Sequence, residues 1–283
     1  MSVLAFTTMG ALIKIAETRG ASLAELLFFR QALALPIVVA AVLMGQGLAT
    51  LKTDRLSTHI LRTSIGLASM SFMFTTVILL PLAEATTLQF TVPIFATILG
   101  ALVLREPTGW HRWGAVIAGF VGVVIVAQPG SGHIPLLGAA TGLTAALLSA
   151  TVSILLRHIG KTEPATTTVF YFSLLSLVPL APFFVMSVGA HDAWTWVLLV
   201  LIGLTGGIGQ IGMTSSLSLA PVAVVVPMDY SGLIWATLYG WLLFAVLPTG
   251  WTWVGAPIIV ASGLYIVWRE HRLRLATTAT VID

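Results

Sequence analysis

The chain has 283 residues, 58% of them apolar and only 8% charged, with thirteen Lys and Arg against ten Asp and Glu and a formal net charge of +3. Water-soluble domains carry about 25% charged residues, so this composition and a mean hydropathy of +1.03 belong to an integral membrane protein. Cysteine is absent, which removes disulfides, thiolate catalysis and Cys-based metal sites, and the basic residues form no continuous face of the kind nucleic acid requires.

Ten apolar segments, separated by polar or Gly/Pro breaks, predict ten membrane-spanning helices near residues 2–17, 24–44, 59–80, 83–104, 111–128, 135–157, 164–188, 193–217, 219–246 and 251–268. Runs of about twenty apolar residues, without strict alternation, argue against a β-barrel. The first run, Val3 to Ile13, is short for a span; either the start is trimmed or Lys14 snorkels to complete the helix. Connections are short, and only the tail after Trp268 stands clear of the bilayer. With the N-terminus inside, Lys52, Arg55, Arg62, Arg105, Arg112, Arg157, Lys161, Arg269, Arg272 and Arg274 fall on the cytoplasmic side, leaving Lys14 and Arg19 outside. Both termini are therefore expected to be cytoplasmic.

The two halves repeat. Leu82 to Trp110 and Leu219 to Trp251 each open on Leu-Ala, run as a long apolar segment broken by a proline (Pro93, Pro227), carry an Ala-Thr pair (Ala96-Thr97, Ala236-Thr237), and close on Pro-Thr-Gly-Trp. Pro36 and Pro179, Gly66 and Gly203, and Gly122 and Gly263 recur at a nearly constant offset. Five helices per half is an odd number, so the repeat at 135–269 is expected upside down relative to that at 1–130, with a cytoplasmic tail at 270–283. Such inverted repeats are the signature of secondary transporters, whose site lies near the bilayer midplane.

Asp229 sits about ten residues inside its apolar segment, roughly 15 Å deep by helical rise. A charged carboxylate is costly there unless it faces a wet cavity, meets a cation or is protonated. It reads either as a substrate- or proton-binding group or as a cap on broken backbone near Pro227. In the repeat register Asp229 and Tyr230 mirror Gln89 and Phe90, so each half presents a polar residue beside an aromatic one. A cationic or zwitterionic substrate would place its positive group on Asp229 and stack on Tyr230 and Phe90. Arg30, about 9 Å into the second helix, holds a substrate carboxylate or phosphate or, the preferred reading, pairs with Glu84 or Glu25. Snorkelling is the default reading of Lys14 and Arg157, with a gating role for Lys14 the alternative.

Gly206-Gly207-Ile208-Gly209-Gln210-Ile211-Gly212 contains GxGxxG, but it lies in a long apolar segment with no strand before it, so it is no dinucleotide fingerprint. Its glycines let a neighbouring helix approach or this one bend, and Gln210 serves a ligand or an interhelical hydrogen bond. Ser69, Met70, Phe74 and Thr75 read as a packing face. The candidate substrate-binding set is thus Asp229, Tyr230, Gln89, Phe90, Gln210, Trp235 and Arg30. The histidines (His59, His111, His133, His158, His191, His271) fall in connections or at helix ends without an i, i+4 pair, so neither a metal site nor a cofactor is expected. Gly114, Gly119, Gly122, Gly255 and Gly263 line packing faces either within one bundle or between two chains of a homodimer.

Phe28-Phe29-Arg30-Gln31, Leu82-Ala83-Glu84-Ala85-Thr86 leading into Pro93, Arg105-Glu106 and Glu270-His271-Arg272 make the chain resemble the EamA-type branch of the drug/metabolite transporter superfamily over essentially its whole length. The stretch from Thr50 to Arg62 is similar, more weakly, to S-adenosylmethionine transporters of that superfamily. The resemblance implies an all-α integral membrane fold of ten transmembrane helices, two inverted five-helix repeats around a central cavity lined by helices 1, 3, 4, 6, 8 and 9. The chain departs from the family pattern at Leu247, where the second repeat would keep an acid matching Glu106. The expected function is secondary transport of a small organic metabolite, cationic, zwitterionic or amino-acid-like, across the inner membrane by alternating access. A drug or amino-acid exporter of the same fold is the alternative. An intramembrane enzyme would need a second reactive group at the depth of Asp229, and a channel would need charged rings or an oligomeric filter. A lone buried carboxylate also admits proton coupling.

Overall fold

The computed structural model describes residues 1–45, 47–103, 105, 109–128, 134–160, 162–219 and 228–279, with backbone alone at 157, 214, 215, 217–219, 270, 271 and 273–279. Glu106, Pro107, Thr108, His133, Lys161 and Pro227, and the side chains of Arg157, Glu270 and His271, therefore lie outside the described residues.

The helices are α1 (Ser2–Thr18), α2 (Leu23–Met44), α3 (Leu56–Leu79), α4 (Leu82–Gln89), α5 (Val92–Leu102), α6 (Trp110–Ala127), α7 (Leu136–Ile159), α8 (Ala165–Ser187), α9 (Ala193–Leu219), α10 (Gly232–Phe244) and α11 (Gly250–Ala279). Counting α4 and α5 as one broken span, eight are long and apolar enough to cross a bilayer; α1 and α10, with 17 and 13 residues, complete the ten. The fold is all-α and membrane-embedded, as composition requires. No strand occurs among the described residues.

Local chemistry sets several boundaries. A capping box opens α2: Ser22 N–H donates to Glu25 Oε2 at 2.6 Å and Glu25 N–H to Ser22 Oγ at 3.3 Å, satisfying two N–H groups that the first turn leaves without partners. Before α9, Asp192 accepts from the backbone and hydroxyl of Thr195 and lies 3.2 Å from Arg19. The Thr195 bonds first, and the Arg19 charge after them, hold its carboxyl below the usual range. Glu84 Oε1 accepts from Thr249 N–H at 3.0 Å and Thr252 Oγ1 at 3.1 Å, placing a carboxylate at the positive N-terminal end of α11.

Packing follows the small residues. A Cβ on Gly203 would lie 2.5 Å from the Phe29 carbonyl, and one on Gly207 2.6 Å from Ile37, so α9 lies almost backbone to backbone on α2. The glycines of the GxGxxG stretch do serve helix packing. Likewise Gly122 and Gly255 lie so close that a Cβ on Gly255 would be 2.6 Å from the Gly122 carbonyl, locking α6 on α11. Gly119, Gly122, Gly255 and Gly263 are all occupied inside one chain, whereas Gly114 has open space beside it. On α3, Ser69 Oγ donates to the Ala145 carbonyl at 3.0 Å and meets Ser149 Oγ at 2.8 Å, fastening α3 to α7.

Lys14 is held by protein. It is half-buried, and its Nζ donates to the carbonyls of Leu80 at 2.8 Å, Val77 at 3.2 Å and Ile78 at 3.5 Å. These oxygens belong to the C-terminal end of α3, where carbonyls lack intrahelical donors and carry the negative end of the dipole. Lys14→Met is expected to lower stability by about 1–2 kcal/mol, read as a lower thermal midpoint in detergent; an unchanged midpoint would return Lys14 to the gating alternative.

Two His–Glu pairs tie the first half to the second at opposite ends of α2 and α8. Glu25 Oε1 meets His191 Nε2 at 2.6 Å at one end, and Glu163 Oε2 meets His59 Nε2 at 2.5 Å at the other. Each half contributes one Glu and, further along, one His, and each Glu takes the other half's His.

Candidate functional site

The break between α4 and α5 is written in the sequence. Pro93 has no N–H, so the Gln89 carbonyl loses its helical donor, and the chain tightens locally: Phe90 N–H donates to Thr87 at 3.1 Å and Thr91 N–H to Leu88 at 3.2 Å. Thr91 Oγ1 adds a bond to the Leu88 carbonyl at 2.7 Å. The same tight pattern recurs around Tyr230. Ser231 N–H donates to Met228 at 3.1 Å and Leu233 N–H to Tyr230 at 3.2 Å, before α10 resumes. Broken helices inside a membrane leave polar backbone that must line a cavity or be buried in protein.

The two breaks meet. The Phe90 and Tyr230 rings stand edge to face with centroids 4.8 Å apart, and the Tyr230 hydroxyl reaches the backbone of α11 so closely that a Cβ on Gly263 would lie 2.1 Å from it. Among the described residues the Tyr230 hydroxyl and Gln89 Nε2 are buried without a hydrogen-bond partner. Asp229 is exposed and has no hydrogen bond or ion pair among the described residues. A free carboxylate, an uncommitted amide and two facing rings therefore cluster at paired helix breaks, an arrangement suited to a solute with a positive group and an apolar or aromatic body.

Arg30 and Gln210 belong elsewhere. Arg30 Nη2 donates to Gln210 Oε1 at 2.9 Å and Nη1 to Gln31 Oε1 at 2.5 Å. The expected pairing with Glu25 or Glu84 is not made: Glu25 is committed to the capping box and His191, and Glu84 Oε1 to the start of α11, while Glu84 Oε2 is buried without a partner among the described residues. Of the two readings of Gln210, the interhelical hydrogen bond is the one found. Trp235 is exposed and makes no ring contact with Phe90 or Tyr230 among the described residues. Helix α1 runs between the two groups: Met9 lies against Gly206 beside Arg30, while Val3 and Thr7 lie against Gly232.

Arg62 joins the buried charges. It is 4% exposed, buried one turn along α3 from His59, and its guanidinium lies over the Phe172 ring at 3.9 Å. The signal was available: Arg62 falls within the third apolar segment, where an ionisable residue is a functional candidate by default. Phe172 carried no sequence signal. Neither did the pairing of His59 with Glu163, which needs α3 and the α7–α8 turn brought together. Among the described residues no group of three His, Cys, Asp or Glu side chains is placed to hold a metal.

Comparison with known proteins points one way. The model of the EamA-like transporter family matches residues 1–128 and again 136–268. A riboflavin transporter of Rhizobium johnstonii is 32% identical over 80% of this chain and 75% of its own length. An S-adenosylmethionine uptake transporter of Rickettsia felis is 26% identical over 88% and 84%, and a pseudopaline exporter of Pseudomonas aeruginosa 26% over 91% and 90%. A solved crystal structure superposes with a TM-score of 0.64 at 18% identity, over 96% of this chain and 98% of that one; at that identity the likeness concerns the fold.

Proposed function

Since the chain belongs to the EamA-like transporter family and is a multi-pass small-molecule transporter, not an enzyme, we propose that its cargo is a cationic or zwitterionic organic metabolite, carried across the inner membrane by alternating access. The observation that carries this reading is the meeting of Phe90 with Tyr230 at two equivalent helix breaks, flanked by the free carboxylate of Asp229 and the unpartnered amide of Gln89. The relatives are named for different solutes, so the substrate class rests on the site. Two rings and one carboxylate favour a positive group. Rocking of two inverted five-helix halves, 1–130 and 135–269, is supported by the two family matches and by the His–Glu pairs exchanged between the halves. Cytoplasmic termini are supported by the positions of Lys52, Arg55 and Arg112.

The test is counterflow in proteoliposomes with labelled S-adenosylmethionine and basic or zwitterionic amino acids as competing solutes. Saturable exchange, competed by at least one of them, is expected. Flux that rises linearly with concentration would mean a pore, and indifference to every cationic and zwitterionic compound would overturn the substrate class.

A further inference from the structure

We propose that Arg30 and Arg62, both buried beside Phe172, form an oxyanion site that takes a carboxylate or phosphate of the transported solute. Each arginine is 4% exposed, and their Cζ atoms lie 5.6 Å and 3.9 Å from the Phe172 centroid. A buried cation is normally matched by an acid, since desolvation otherwise goes uncompensated. Here, among the described residues, neither has a carboxylate within ion-pairing distance. The acids that topology would offer are spoken for, Glu25 by His191 and Glu163 by His59.

The aromatic ring does not complete the coordination. Cation–π attraction acts through the face of the guanidinium and leaves its in-plane N–H donors free. Those donors are unmet: Arg62 Nε and Nη1 and Arg30 Nε are buried without partners. Gln31 Nε2 and the Ser176 hydroxyl, one turn along α8 from Phe172, are likewise unpartnered. This is a cluster rich in donors, its amide oxygens Gln31 Oε1 and Gln210 Oε1 already engaged by Arg30, which is the chemistry of an oxyanion cradle.

The backbone is shaped to admit both arginines. A Cβ at Gly66 would lie 3.1 Å from the Phe172 ring and 3.5 Å from Arg62 Nη1, and one at Gly206 3.1 Å from Arg30 Cγ and 3.4 Å from its Nε. Glycines on α3 and α9 thus make room for the two side chains. With Asp229 at the helix breaks, on the far side of α1, the pair would give the transport path one group for each end of a zwitterion. The inference rests on the transporter reading only for what bears the anion; the anion site stands on its own geometry.

The test is therefore made without transport, on purified protein in lipid-free detergent, by thermal unfolding against inorganic phosphate and, separately, sodium acetate at constant ionic strength. A ligand that binds only the native state raises the midpoint saturably. A saturable rise with either anion is expected, with apparent affinity weakened about tenfold or more in Arg62→Gln and retained in Asp229→Asn. Should Arg62→Gln fail to fold, Ser176→Ala, which keeps both charges, is expected to weaken the response by a smaller factor. No saturable rise in wild type, an unaltered response in these variants, or a rise that needs phosphatidylglycerol in place of the soluble anions would overturn the proposal. Loss of the anion response beside intact counterflow would sink this site alone; an intact response beside linear flux would sink the transporter mechanism alone.

Discussion

Asp229→Asn is expected to cut substrate-dependent counterflow by about ten- to a hundredfold, the loss of a charge-assisted contact to a cation. Membrane insertion and the thermal midpoint should stay close to wild type. The amide keeps the size and shape of the carboxylate and removes only its charge. Because Asp229 makes no hydrogen bond or ion pair among the described residues, removing its charge breaks no contact of the folded state, and substitutions away from packing and hydrogen-bond networks move stability by about 0.5 kcal/mol or less. Transport is where the charge counts. Asp229→Glu, which keeps the charge on a longer arm, should retain part of the activity. Wild-type transport in Asp229→Asn would reassign the residue to capping the broken backbone, and a matching fall in midpoint and transport would say that the charge serves folding. If proton coupling runs through this carboxylate, an imposed pH gradient should drive uptake in wild type and not in the amide variant.

Fixing one His–Glu pair is expected to stop transport almost completely. His59 with Glu163 and His191 with Glu25 join the halves at opposite ends of α2 and α8, and alternating access requires the halves to part at one end while they close at the other. The chain has no cysteine, so His59→Cys with Glu163→Cys, bridged through two disulfides by a short bis-methanethiosulfonate, labels a single place. The bridged protein should be inactive and recover on reduction, with the unbridged double variant as reference. Transport through a bridged 59–163 pair would mean that this end never opens, and the rocking of two halves would fall with it. The pair at 25 and 191 gives the independent repeat of the experiment at the other end.

How far the sequence reaches can be judged residue by residue. The helix break at Pro93 is legible because a missing N–H acts locally, whatever surrounds it. The correspondence of Phe90 with Tyr230 is legible from the repeated Leu-Ala, Ala-Thr and Pro-Thr-Gly-Trp signals, and the rings meet at 4.8 Å. The packing role of Gly207 follows from small residues in an apolar helix. Lys14, by contrast, reads as a snorkelling residue from its position near a helix end, and the carbonyls at the C-terminal end of α3 that hold its Nζ carry no sequence signal. Depth alone matches Arg30 with Glu25 and Glu84, but Glu25 is held by its capping box and His191, and Arg30 turns to Gln31 and Gln210.

Composition and period alone determined that this chain is a membrane-embedded helical bundle, that its halves are related, and that its helices break near Pro93. Each of these depends on interactions between residues near one another in sequence, or on the solvent as a whole. Which charges meet was decided only by tertiary structure. Whether Arg62 sits at a bilayer surface or over Phe172, and whether Glu163 is solvated or held by His59, depends on which helices become neighbours. The energy of a charge in a membrane is set by whatever lies within a few ångströms of it, and a linear sequence does not contain that distance.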